Sequence, residues 1–317
     1  MWDIPLFPDQ ASTLAGRVDS VFFAVLGVTV FFTALIYGLL LYFCIKYRRG
    51  SKADRSNAVS TSHAIEALWI AIPFVISIVL FVWASRVFFE QYNPPADAAE
   101  IYVVGKQWMW YLQHPEGKRE TNELHVPLGR PVKLIMTSQD VIHSFFVPAF
   151  RMKQDVLPGR YTATWFQPTK TGRFHLYCAE YCGTNHSAMG GWVVVMEPAK
   201  YEQWLAQGST EGSMASAGAK LFQQYHCSGC HGANPTVRAP GLDGVFGGPV
   251  PVREGNSIRM VTADERYIRD SILLPQTQVV AGYDPVMPSY EGQISEPDLL
   301  QIIAYIKSLG RSKGGGR

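Results

Sequence analysis

Charge is sparse in this chain of 317 residues, and cysteine is sparser still. Charged residues make up 17% of it. A mean hydropathy of +0.02 excludes both a disordered chain and a protein that is mostly membrane-embedded. Neither sign of charge is in excess: 28 Lys and Arg against 26 Asp and Glu leave a net of +2. No sequence-wide case for nucleic-acid binding follows. The five cysteines are too few and too clustered for a disulfide scaffold, since Cys178 pairs with Cys182, Cys227 with Cys230, and Cys44 stands alone. Such pairs point to metal or cofactor chemistry. The length suggests two or three domains, enough to bury a sizeable core.

Two stretches lack charge altogether. Ser20 to Ile45 is uncharged over 26 residues, or about 39 Å of helix against a hydrocarbon core of about 30 Å. Ala67 to Ser85 is a second such run, and its Pro73 is tolerable where helix packing re-satisfies the freed backbone. The residues before the first run lack the short basic leader of a signal peptide. Two membrane spans are therefore expected, at about 20–45 and 67–87. Between them stand Lys46, Arg48, Arg49, Lys52 and Arg55 against the single acid Asp54. That excess puts the loop on the cytoplasmic side and both termini outside. Cys44, within the first span, reads as an ordinary buried thiol.

Beyond Asn93-Pro94-Pro95 the pattern changes. Short β-branched and aromatic runs at Ile101–Val104, Pro131–Thr137, Tyr161–Phe166, Phe174–Tyr177 and Trp192–Met196 are divided by Gly, Pro and Asn, which predicts a β-sandwich or barrel. Its chemistry lies in Cys178-Ala-Glu180-Tyr-Cys182-Gly-Thr-Asn-His186-Ser-Ala-Met189, with His143 upstream. Two thiolates, two imidazoles and a thioether form a soft ligand set that suits copper, and a second thiolate suggests bridging between two metals. A structural zinc on the Cys₂His₂ part and a disulfide remain open on ligand chemistry alone. His114, His125 and His175 have no ligand-spaced partners and read as core or surface residues.

A Gly, Ser and Ala-rich stretch, Ala206 to Gly218, reads as a short flexible linker. After it comes Cys227-Ser-Gly-Cys230-His231, the C-x-x-C-H pattern of haem attachment, in which two thiols bind the haem edge and the adjacent His reaches the iron. Helices are expected at Ala217–Tyr225 and, from the apolar spacing of Leu299, Leu300, Ile302, Ile303 and Ile306, at Glu296–Leu309.

The C-x-E-x-C-x₃-H-x₂-M loop with its upstream His resembles the dinuclear CuA site of the cytochrome c oxidase subunit II family. The two apolar runs, the aromatic stretch Lys106-Gln107-Trp108-Met109-Trp110 and Asp155-Val-Leu-Pro158-Gly159-Arg160 are similar to the same family. The resemblance implies that Cys178 and Cys182 bridge two coppers, that His143 and His186 each bind one, that Met189 caps one, and that Glu180 supplies a backbone carbonyl. It further implies that the Glu180 side chain reaches a magnesium ion at the subunit I interface, that Trp108 admits electrons, and that Glu66 stands at the mouth of a proton-uptake path. Residues from about 216 resemble a class I cytochrome c. There Met287, in Val-Met-Pro-Ser-Tyr, matches the loop that supplies the sixth iron ligand, with Met260 the lesser candidate, and Pro240 matches a loop whose carbonyl steadies the proximal His.

The expected architecture is a multidomain membrane protein. Residues 1–95 form a two-helix transmembrane hairpin, 96–207 an all-β cupredoxin-like CuA domain, 208–217 a linker, and 218–317 an all-α class I cytochrome c domain. The resemblance implies the electron-input subunit of a proton-pumping cytochrome c oxidase in a bacterial cytoplasmic membrane, with both soluble domains outside. Its partners would be oxidase subunit I, subunit III, membrane lipid and an upstream donor, either a soluble cytochrome c or another respiratory complex. Two rivals stay open: a quinol-oxidase subunit II, whose relatives lack the copper ligands filled here, and a membrane-anchored cytochrome carrier whose β domain holds structural zinc.

Overall fold

The computed structural model describes residues 7–56, 61–207, 212–232, 239–254 and 257–310. Two long helices come first, α1 (Ala15–Lys46) and α2 (His63–Tyr92), both apolar enough to cross a membrane and with none of their most apolar stretch buried in the protein. Residues that are apolar all round and unburied by protein need another apolar medium. Cys44 is one of them: it lies exposed on α1, so the buried-thiol expectation is corrected to a thiol on the helix surface. Pro73 sits inside α2, and Ser77 donates its hydroxyl to the Pro73 carbonyl at 2.8 Å.

The hairpin is fastened to the soluble portion at the end away from its connecting loop. Arg151, in left-handed backbone, donates to both Asp19 oxygens on α1 at 2.7 and 2.9 Å, and this pair is nearly buried. The Trp165 indole donates to the Glu90 carbonyl of α2 at 2.8 Å, and Arg17 pairs with Glu90 between the two helices.

Ten strands then make a two-sheet sandwich: β1 (Ala99–Lys106), β2 (Met109–Gln113), β3 (Arg119–Thr121), β4 (Glu123–Pro127), β5 (Val132–Ser138), β6 (His143–Val147), β7 (Met152–Val156), β8 (Thr162–Phe166), β9 (Gly172–Cys178) and β10 (Gly190–Met196). One sheet runs β3-β2-β1-β5-β8 and the other β4-β10-β9-β6-β7. Between them lie Ile101, Val103, Leu134, Phe145, Leu176 and Val193, all buried. The alternation of these strands is what seals a two-layer core. β1 departs from it. Ile101 to Gly105 are buried without a break, because Tyr102 and Val104 on its outer side are covered by the last domain.

α3 (Pro198–Ala206) closes the β domain, packed against β4, and the last domain then contains α4 (Met214–Gln224), the short α5 (Ser228–His231), α6 (Glu265–Leu273) and α7 (Glu296–Ser308). Ser213, Asp264 and Ser295 cap α4, α6 and α7 by accepting backbone N–H bonds. α4 crosses α7 closely at Gly218, where an added Cβ would fall 1.9 Å from the Gln301 carbonyl oxygen. The helical domain also carries a three-stranded sheet, β12-β11-β13, formed by Pro249–Glu254 (β11), Ser257–Thr262 (β12) and Val279–Val280 (β13). The helical expectation did not include it. Residues 208–211 of the expected linker lie outside the described residues, while Met214–Ala217 form the first turn of α4 rather than a flexible link.

Candidate functional site

The first site gathers at one end of the sandwich. β6 begins at His143 and β9 ends at Cys178, so two neighbouring strands deliver an imidazole and a thiol to the same edge. The loop that follows returns to its start, with the Cys178 N–H bonded to the Met189 carbonyl at 3.0 Å. Gly183 turns this loop at φ +117° beneath Trp108, a backbone that L side chains rarely adopt.

The donor atoms converge. Cys178 Sγ lies 3.9 Å from His143 Nδ1 and 3.3 Å from the Glu180 carbonyl oxygen. Cys182 Sγ lies 3.5 Å from His186 Nδ1 and 3.7 Å from Met189 Sδ, and the two sulfurs are 3.8 Å apart. Both cysteines are free thiols. Among the described residues, His143, Cys178 and Cys182 form the only group of three or more His, Cys, Asp or Glu ligand atoms lying within 4.8 Å of one another. All six donor positions expected from sequence are thus in one cluster, with the Glu180 side chain exposed to the outside.

The surroundings prepare the donors for a metal. Asp140 accepts from His143 Nε2 at 2.8 Å, which places the imidazole proton there and leaves the Nδ1 lone pair facing Cys178. Burial opposes charge on the Cys178 thiol, but His143 and the backbones of Glu180 and Ser144 outweigh it and bring its pKa down to about 6. Burial and the neighbouring Cys178 charge push Cys182 the other way, to about 12. One thiolate is therefore ready and the second waits for a cation to offset it, the behaviour of a site in which metal binding displaces a proton. Two thiolates, two imidazoles and a thioether fit a soft metal.

Trp108 donates its indole N–H to the Cys182 carbonyl at 3.2 Å, and Gln107 donates its side-chain amide to the same oxygen at 2.8 Å. The Gln107 backbone N–H bonds Asp140 at 2.7 Å. Asp140 thus serves the His143 ring and the Trp108 turn together. Sequence reasoning passed over Gln107 and Asp140 as site residues; their only signal was adjacency to Trp108 and His143.

A second site lies in the helical domain. A cavity of about 390 Å³ is lined by Cys227, Cys230, His231, Met287, Tyr290 and Ile302 among others. His231 Nδ1 bonds the Pro240 carbonyl at 2.9 Å, leaving Nε2 for an iron. Met260 is on β12, exposed and outside the cavity wall. Glu66 is in the first turn of α2, 3.2 Å from His63 Nδ1.

One buried cluster had no counterpart in the sequence reading. Glu120 accepts from His114 Nε2 at 2.8 Å and His125 Nδ1 at 2.5 Å, Tyr201 meets His114 Nδ1 at 3.1 Å, and Trp204 stacks on His125. His114, Glu120 and His125 lie close in sequence but at no ligand spacing, and Tyr201 and Trp204 join them only through the fold. His175 is at the surface, packed between Tyr177 and Trp192.

Three family models match the chain: cytochrome c oxidase subunit II, transmembrane domain, over residues 1–87; cytochrome c oxidase subunit II, periplasmic domain, over 119–197; and cytochrome c over 215–310. The cytochrome c oxidase subunit 2 of Thermostichus vulcanus is 31% identical over 257 residues, spanning 64% of this chain and 78% of that protein. That of Alkalihalophilus pseudofirmus is 29% identical over 87% of this chain and 82% of its own length. The alternative cytochrome c oxidase subunit 2 of Bradyrhizobium diazoefficiens is 29% identical over 67% and 87%. Membership implies a CuA copper centre in the β domain and a haem in the helical one, in a subunit anchored in a membrane through α1 and α2. This chain belongs to the cytochrome c oxidase subunit II family and carries a C-terminal cytochrome c domain.

Proposed function

We propose that this subunit takes electrons at a haem in its C-terminal domain and passes them through a dinuclear copper centre to subunit I, where oxygen is reduced to water and protons are pumped. The observation that carries the reading is the pairing, on one chain, of a buried cluster of His143, Cys178 and Cys182, joined by His186, with a C-x-x-C-H cavity that Met287 also lines. When bound, the copper pair and the haem supply reversible one-electron storage.

The chain's own residues supply the rest. Cys178, Cys182, His143, His186, Met189 and the Glu180 carbonyl are the groups that would hold the copper, with the two thiolates shared between the metals. Asp140 holds the His143 ring in one tautomer, so little moves when charge changes. Cys227 and Cys230 would hold the haem through their sulfurs, and His231, steadied by the Pro240 carbonyl, and Met287 would supply the iron ligands. Trp108, bonded to the Cys182 backbone, sits where an electron enters the copper cluster. The exposed Glu180 carboxylate suits magnesium at the face toward subunit I, and Glu66 stands where a proton enters from the cytoplasmic side. Both soluble domains then lie outside a bacterial cytoplasmic membrane, with the hairpin in residues 1–95, the copper domain in 96–207 and the haem domain in 218–317. Subunits I and III and an upstream donor, a soluble cytochrome c or a respiratory complex, are the partners.

Metal and haem content of the chain, matured in a host that attaches c-type haem, tests this directly. The relay requires two coppers and one covalent haem per chain. One zinc in place of copper would make the β domain a stapled docking module and overturn it.

A further inference from the structure

The seam between the two soluble domains is built unlike a tether. Tyr102, Val104 and Ile135 on the outer side of the first sheet are buried with Met214 of α4 and Leu300 of α7, and Tyr161 and Ala304 pack against them. Across this apolar patch runs a chain of charges from both domains. Lys307 of α7 donates to Glu100 of β1 at 2.6 Å and to Glu265 of α6 at 2.8 Å, and Lys133 of β5 holds the other Glu100 oxygen at 3.0 Å. Arg269 of α6 donates to the Gly159 carbonyl of the β domain at 3.2 Å while pairing with Glu296 at 2.5 Å. Neither cation is at the surface: Lys307 is 11% exposed and Arg269 8%.

We propose that Lys307 is a positioning residue that locks the haem domain into a single seat on the outer face of the β1–β5 sheet, so that the relay works at a fixed separation rather than by a swinging domain. This rests on the relay reading above for its purpose, though not for its geometry. Lys307 is the cation between Glu100 of one domain and Glu265 of the other. Without it two carboxylates face each other across a half-dry seam, where like charges repel far more than in water. Domains joined by a short link move relative to each other unless the interface is apolar and well fastened. Here it is both. Lys307 also lies 4.7 Å above the Phe246 ring inside the haem domain, so a test must separate the seam from that domain's own packing.

Hydroxyl-radical footprinting of the haem-loaded chain in the assembled oxidase does so, because the seam holds two reactive side chains. Tyr102 is 3% exposed and Met214 1%, against 58% for Met260 of the haem domain, which serves as the open reference. Lys307→Met raises oxidation of Tyr102 and Met214 toward the reference level, on the order of tenfold, as expected when one partner of a buried pair is lost. Adding Glu100→Gln removes one of the two opposed carboxylates from the other domain and returns protection toward wild type. Haem-to-copper transfer slows in the single variant and recovers in the double. Unchanged protection in Lys307→Met overturns the proposal. So does a double variant as open as the single, which would confine Lys307 to the packing of its own domain. Zinc in the copper site would sink the relay yet leave these footprints untouched, so the two failures are distinguishable.

Discussion

The two cofactor sites are built on opposite principles. The copper cluster is small and held by its scaffold. Its donors end neighbouring strands, its loop is closed by a backbone hydrogen bond, and Asp140 fixes a ring. The haem cavity is instead a large space inside the domain's own core, walled by Phe222, Ile268, Ile272, Ile302 and Ile306. A scaffolded site survives the loss of its metal. A cavity that its cofactor completes does not survive the loss of that cofactor.

The largest expected effect breaks the comparison if it fails. With Cys227 and Cys230 both changed to Ser, the chain cannot hold haem covalently. The apolar cavity of about 390 Å³ is then left without the group that completes the domain's core, and a site completed by its cofactor couples binding to folding. Calorimetry should then show the haem domain's transition lost and the β domain's retained. Two intact transitions would mean that the cavity wall stands without its cofactor.

Acid sharpens the same contrast from the β side. Burial alone would raise the Glu120 carboxyl, but His114 and His125 outweigh it and hold its pKa below the ordinary value. A carboxyl lowered in the folded state stabilises fully above its unfolded value, about 4.3. That contribution is lost as pH falls through the lower folded value. Glu120→Gln should therefore lower β-domain stability by about 1–3 kcal/mol at neutral pH, with the difference from wild type shrinking below pH 4 or so. Denaturant titration at two pH values measures it, and a difference independent of pH would contradict the assignment.

The smallest effect on folding is Met189→Leu. A near volume-conserving swap in a buried position costs less than about 1.5 kcal/mol, so the sandwich should persist while the copper spectrum and the transfer rate change. Full retention of both would remove Met189 from the ligand set.

What was legible in the sequence follows from the reach of local pattern. The two spans were readable because a bilayer demands long uncharged runs, though α1 and α2 extend several residues past them. The ligand loop was readable because five of the six donors lie within twelve residues. Strands β2, β3, β4, β6 and β7 were not, being short and bearing polar or charged residues, and neither was the β11–β13 sheet within a domain whose haem motif speaks only of helices. The Ala206–Gly218 stretch misled for a definite reason. Its Gly, Ser and Ala composition is that of a coil, but Ser213 caps a helix and Met214 is drawn into the seam.

By itself the sequence determined the membrane hairpin, the donor chemistry of both sites and the order of the domains, since each depends on residues close together or on simple hydropathy. Only the tertiary structure decided which groups share a proton or a charge. It joined Asp140 to His143, gathered His114, His125 and Tyr201 around Glu120, and set Lys307 between Glu100 and Glu265. Lys307 lies 207 positions from Glu100 in the chain. Electrostatics depends on distance through space and on burial, and neither is a property of sequence separation.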